Sequence, residues 1–218
     1  MILSDRDIKV ALAKGEIKID PFDEQYLQPA SYDLHLDQTF LVFKRTGRPV
    51  IDLRQPVDDL MEEVIISEDR PFVLHPGEFV LANLQEVTGV SDKMVGRLEG
   101  KSSLGRLGVI VHATAGFLDP GNELKMTLEL SNIGVMPVTL YLGMPIAQMA
   151  FETLSSPAEK PYGNQKLNSK YRGADKVQAS QMWRNFTAEP KAEPKAEPKA
   201  EPITGPKTQP DKNNARKP

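Results

Sequence analysis

The chain has 218 residues, a formal net charge of −3, 39% hydrophobic residues and no cysteine. That length suits one well-cored domain with appendages. The missing cysteines exclude a disulfide framework and a thiolate metal site, and the mild acidity argues against wholesale attraction to nucleic acid or an anionic membrane.

Residues Ser4-Asp5-Arg6-Asp7, followed by Ile8, Val10, Ala11, Leu12 and Ala13, predict a short N-terminal helix with Ser4 as N-cap and Gly15 as its stop. The opening residues lack the basic start and apolar run of a signal peptide, and no stretch reaches the ~18 apolar residues that span a bilayer, so a cytoplasmic protein with no membrane partner is expected. From Ile17 to about Pro157 the pattern changes to short β runs, at residues 39–43, 71–74, 78–82, 94–98, 124–130, 138–142 and 146–151. His75-Pro76-Gly77 and Leu142-Gly143-Met144-Pro145 mark turns between them. Many short strands with little helix predict a mainly β fold, an antiparallel sandwich or barrel. Trp183 and Phe186 read as anchors that end the ordered domain, 1–187. Residues 188–218 begin with an Ala-Glu-Pro-Lys repeat, which denies helix donors and offers nothing to bury, so a disordered tail is expected there.

Three segments carry chemistry. Gly100-Lys101-Ser102-Ser103-Leu104-Gly105-Arg106 combines two cations, two hydroxyls and glycines that let main-chain N–H groups approach an anion, a pattern suited to phosphate although its glycine spacing is not that of a Walker loop. A plain basic turn fits it equally well. In Leu124-Lys125-Met126-Thr127-Leu128-Glu129-Leu130 the alternation sets Lys125, Thr127 and Glu129 on one face of a strand. From spacing alone, a solvated strand charge is the stronger reading of Glu129. In Thr114-Ala115-Gly116-Phe117-Leu118-Asp119-Pro120-Gly121 the aspartate stands before a Pro-Gly turn, where it serves as a site carboxylate or only as a turn organiser. His112, inside an apolar run, reads as a packed structural histidine rather than a proton shuttle.

Taken together, Gly-Lys-Ser-Ser-Leu-Gly-Arg, Thr-Ala-Gly-Phe-Leu-Asp-Pro-Gly and Thr-Leu-Glu-Leu, in that order, resemble the dCTP deaminases of the dUTPase superfamily. The resemblance extends to Gln28-Pro29-Ala30-Ser31-Tyr32-Asp33-Leu34, Phe72-Val73-Leu74-His75-Pro76-Gly77-Glu78, Pro161-Tyr162-Gly163 and Ser169-Lys170-Tyr171, and covers roughly residues 1–186. It implies a distorted jelly-roll β-barrel of the dUTPase type, assembled as a homotrimer with nucleotide sites shared between subunits. By the same resemblance, Lys101, Ser102, Ser103, Leu104, Gly105 and Arg106 line the triphosphate and the reacting water. Asp119 holds the deoxyribose side, and Thr127, Leu128 and Glu129 meet the base. Gln148, Tyr162 and Lys170 close over the phosphates.

Gly116 and Phe117 after Thr-Ala resemble the bifunctional branch, which deaminates dCTP and then cleaves the α–β phosphate bond to give dUMP and diphosphate. A deaminase that stops at dUTP, and a plain dUTPase, are the alternatives. The resemblance also implies dTTP as a feedback inhibitor. Two departures stand out: Ala174 replaces a family glutamine four residues after Lys170, and Asn122-Glu123-Leu124 replaces the aromatic residue and glycine usual after the turn. With no cysteine, and with His35, His75 and His112 far apart, no zinc and no dedicated protein metal site are expected. Mg2+ is expected only as an ion carried by the triphosphate. Glu129 is then the expected base, with Ser102 orienting the water, Arg106 fixing that pair and the Ala115 main chain orienting the amino group.

Overall fold

The computed structural model describes residues 1–44, 48–114 and 116–187. Ala115 and the expected tail at 188–218 lie outside the described residues. A helix, α1 (Asp5–Ala13), opens the chain. The Ser4 hydroxyl accepts from the Asp7 N–H at 3.4 Å, Ile8 and Ala11 are buried, and Gly15 follows with a positive φ of 69°, so both expected ends of the helix are observed.

Twelve strands follow among the described residues: β1 (Ile17–Asp20), β2 (Leu27–Gln28), β3 (Ser31–Phe43), β4 (Met61–Ile65), β5 (Phe72–Leu74), β6 (Phe79–Val90), β7 (Met94–Gly100), β8 (Val109–Ile110), β9 (Phe117–Leu118), β10 (Glu123–Asn132), β11 (Val138–Leu140) and β12 (Pro145–Thr153). Two one-turn helices, α2 (Ser102–Gly105) and α3 (Arg184–Thr187), and two 3-10 turns (Glu24–Tyr26 and Asp58–Leu60) complete the described elements. Every described strand pair is antiparallel. The fold is mainly β, as expected, and no described helix is long and apolar enough to cross a membrane.

The main sheet runs in the order β8-β10-β6-β3-β12-β7-β9, and β5 with β11 forms a separate two-stranded ladder. The curl of the sheet depends on β3. Its first half pairs with β12 (Asp33 opposite Gln148) and its second with β6 and β4 (Phe40 opposite Ala82 and Val64), with a register break between Leu36 and Phe40. A strand that changes partners at a break turns a corner, so the sheet curls into a distorted barrel. Inside the curl, Leu34, Leu36, Phe40, Leu84, Leu128 and Phe151 are fully buried within one cluster.

The expected alternation on β10 is observed: Leu124, Met126, Leu128 and Leu130 are buried, while Lys125, Thr127 and Glu129 occupy the other face. A second, smaller cluster of Val57, Leu60, Met61 and Ala179 packs with Leu41 and Leu81. Ala179 belongs to the returning C-terminal segment. That segment is tied to β10 by main-chain bonds from Lys125 N–H to the Ala174 carbonyl (2.7 Å) and from Gly173 N–H to the Glu123 carbonyl (2.9 Å).

Candidate active site

Between the β10 face and the returning C-terminal segment lies a cleft of about 390 Å3. Glu129, Thr127, Asp119, Phe117 and Tyr162, all expected site residues, line it.

Strand geometry places Glu129. Its N–H donates to the Val111 carbonyl at 3.1 Å, which fastens β10 to the chain leading into the loop at 112–114. The loop then folds over the carboxylate, and the N–H groups of Ala113 (2.8 Å) and Thr114 (3.2 Å) both donate to Oε2. Oε1 has no hydrogen-bond partner among the described residues. One oxygen therefore fixes the group while the other is free to take a proton, the arrangement a general base requires. Thr127, two residues back, donates from its hydroxyl to Asn83 Oδ1 at 3.4 Å. The side chain of Leu128 is fully buried in the core, so only its main chain can meet a ligand.

Asp119 stands at the mouth of the cleft, at the start of the turn closed by Asn122 N–H donating to the Asp119 carbonyl (3.0 Å), with Gly121 at a positive φ of 80°. It keeps open surface, but it lines both the cleft and a second, adjoining cavity, whose walls partly shield it from water. That partial desolvation raises its carboxyl above the ordinary aspartate value.

The structure sets the phosphate-type loop apart from this cleft. Leu104 anchors α2 in the core, while Ser102, Ser103, Gly105 and Arg106 are exposed and none of them lines the cleft. What read as a basic turn is thus one turn of helix, with Arg106 N–H donating to the Ser102 carbonyl at 3.0 Å. Lys101 forms an ion pair with buried Asp33 at 2.6 Å, and Gln148, opposite Asp33 in register, accepts from the Ser31 hydroxyl at 3.1 Å. Lys101 and Gln148 are therefore neighbours of one buried carboxylate, outside the cleft lining. Lys170 does not line the cleft either; its main-chain N–H donates to the Tyr162 hydroxyl at 3.3 Å, as does that of Tyr171 at 3.2 Å.

Several lining residues escaped the sequence reading: Phe43, Phe79, Asn122, Tyr171 and Gln178. Ala174, the departure from the family glutamine, is buried and also lines the cleft. A signal for Asp33 did exist, because alternation with Tyr32 and Leu34 sets it on the opposite face of β3. Among the described residues no group of three or more His, Cys, Asp or Glu is placed to hold a metal ion.

Gly116 has a local reason to be glycine. A Cβ there would sit 2.8 Å from the Leu98 carbonyl oxygen and 3.1 Å from Cε1 of His112, whose buried Nδ1 has no hydrogen-bond partner among the described residues. Gly116→Ala is therefore expected to cost about 1–3 kcal/mol of stability through overpacking, read as a lowered denaturation midpoint. An unchanged midpoint would show that the loop yields freely.

Comparison with known proteins fits this geometry. A family model described as dCTP deaminase-like matches residues 2–154. A protein of Corynebacterium jeikeium named dCTP deaminase, dUMP-forming is 50% identical over 186 residues, covering 85% of this chain and 99% of that protein. An Acidothermus cellulolyticus protein of the same name is 50% identical over 186 residues, covering 85% of this chain and 97% of that protein. The crystal structure of 2'-deoxycytidine 5'-triphosphate deaminase from Agrobacterium tumefaciens superposes with a TM-score of 0.55 at 25% identity. It covers 70% of this chain, which spans only 48% of that longer one. The chain belongs to the dCTP deaminase-like family.

Proposed function

We propose that this protein hydrolyses dCTP at C4 and then cleaves the α–β phosphate bond, giving ammonia, dUMP and diphosphate. The observation that carries the reading is Glu129, held in a cleft by two main-chain donors on one oxygen, the other having no hydrogen-bond partner among the described residues, beside Thr127 and Asp119.

In this mechanism Glu129 takes a proton from water as the water oxygen bonds to C4 of cytosine. The ring then carries a tetrahedral centre at C4. Glu129 passes that proton to ring N3, then takes the proton of the new C4 hydroxyl and gives it to the 4-amino nitrogen; the C–N bond breaks as the C4 carbonyl forms, and ammonia leaves a uracil ring protonated at N3. Asp119 takes the sugar hydroxyl side, and in the second step it orients a water toward the α-phosphorus. The α–β bridging oxygen leaves with diphosphate. Mg2+ carried in as the triphosphate's own counterion would neutralise charge on the phosphate chain. dTTP, which shares the sugar and triphosphate but lacks the amino group, is the expected competitor for the cleft.

The functional unit in this reading is a homotrimer. Ser102, Ser103, Gly105 and Arg106 are exposed and outside the cleft of their own chain, which suits a loop that completes a neighbour's site. Leu107, Ile133, Val135 and Met136 are also exposed, and Ile133 N–H donates to the Gly108 carbonyl at 2.8 Å, so an apolar surface adjoins that loop for a subunit to cover. Lys101, Gln148, Tyr162 and Lys170 serve the phosphates.

Initial rates with dCTP and dUTP test the reading. Ammonia release from dCTP is expected as the leading activity. Brisk cleavage of dUTP with no ammonia from dCTP would replace it with a plain dUTPase.

A further inference from the structure

Arg97 on β7 lies directly opposite Phe117 on β9, and its guanidinium sits over the Phe117 ring, 5.5 Å from the centroid. Two carboxylates hold that guanidinium, Glu152 at 3.7 Å and Glu99 at 3.9 Å. The ring is thereby fixed by a cation on one face. It is nevertheless 57% exposed, and it lines the cleft.

Leu118, the next residue, is fully buried. Extended chain alternates, so Phe117 and Asp119 emerge on the same side, two residues apart, both at the cleft. An aromatic ring beside a sugar-binding carboxylate offers neither donor nor acceptor in the ring plane. It accepts a methylene against it and strips water from a hydroxyl placed there without replacing the lost hydrogen bond. The edge that distinguishes a deoxyribonucleotide from a ribonucleotide is such a methylene.

We propose that Arg97 is a positioning residue that fixes Phe117 as the wall for the C2′ edge of the sugar, so that the Arg97–Phe117 pair selects deoxyribonucleotides over ribonucleotides. This rests on the dCTP reading above and adds the residues that set sugar specificity. Arg97 touches no substrate; it acts through the ring.

The test compares kcat/KM for dCTP and CTP in the full chain, in Arg97→Met, Arg97→Lys and Phe117→Ala, and in the Arg97→Met/Phe117→Ala double variant. Arg97→Met is expected to lower the dCTP/CTP ratio by about tenfold, the scale of one apolar contact in a binding pocket. Arg97→Lys, which keeps the cation, should restore most of it. Phe117→Ala should lower the ratio at least as far, and adding Arg97→Met to it should change the ratio no further, since the ring through which Arg97 acts is gone. An unchanged ratio in Arg97→Met, or the same tenfold loss from Arg97→Met with the ring already absent, would overturn the proposal. Unmodified protein without turnover of dCTP would instead remove the deaminase reading on which it rests.

Discussion

Glu129→Gln is expected to slow ammonia release from dCTP by about 10²–10⁴. The amide matches the carboxylate in size, and its carbonyl oxygen can still accept from the Ala113 and Thr114 N–H groups that hold Oε2. What it loses is the ability to take a proton. The loop over residue 129 should therefore keep its place and the denaturation midpoint should barely move, while dCTP binding measured by calorimetry persists. Slow chemistry with retained binding separates a lost base from a lost site. Near-normal ammonia release would remove Glu129 from the chemistry altogether.

Asp119→Asn should act on the other step. If Asp119 orients the water that attacks the α-phosphorus, diphosphate release should fall by about 10²-fold or more, ammonia release should fall far less, and dUTP should build up. Its stability effect has a defined sign. Desolvation raises the Asp119 carboxyl, so the ionised group is less welcome in the folded chain than in the unfolded one. The contribution Asp119 makes to stability is full below the unfolded value of about 3.9 and is lost as pH rises through the higher folded value. The asparagine variant lacks that loss. Its denaturation midpoint relative to the parent should therefore rise between acid and neutral pH. A relative midpoint that falls over the same interval would mean the carboxylate is stabilised in place rather than crowded.

Much of the scaffold could be read from local pattern, because the relevant forces are local. The Ser4 cap and Gly15 stop bound α1, and the Leu124 to Leu130 alternation assigned the two faces of β10 before any neighbour was known. The misses share a physical cause as well. In β3, Tyr32, Leu34 and Leu36 do alternate with Asp33 and His35, but these polar residues are buried as well, an arrangement that depends on partners from distant segments and that local pattern did not assign to a thirteen-residue strand. In β4 only Met61 is fully buried, and the adjacent acids Glu62 and Glu63 masked its strand character. With two serines and a glycine among its four residues, α2 has poor helix propensity and exists because Leu104 is held in the core.

The candidate site divides along the same line. Glu129, Thr127 and Asp119 were recognisable by motif, and strand geometry sets them in one cleft. The pairing of Lys101 with Asp33 and the contributions of Tyr171 and Gln178 depend on distant segments returning to the sheet, which no local spacing encodes. The resemblance placed the phosphate loop and the base-side carboxylate in one site, yet within a single chain the loop does not line the cleft that holds Glu129. That separation is what a site completed between subunits predicts.

The most direct measurement follows ammonia and diphosphate together while wild-type protein consumes dCTP in the presence of magnesium. A single cleft that performs both steps should yield the two products in equal amounts, with dUMP as the nucleotide and no dUTP accumulating. Ammonia accompanied by stoichiometric dUTP, or diphosphate without ammonia, would contradict that account.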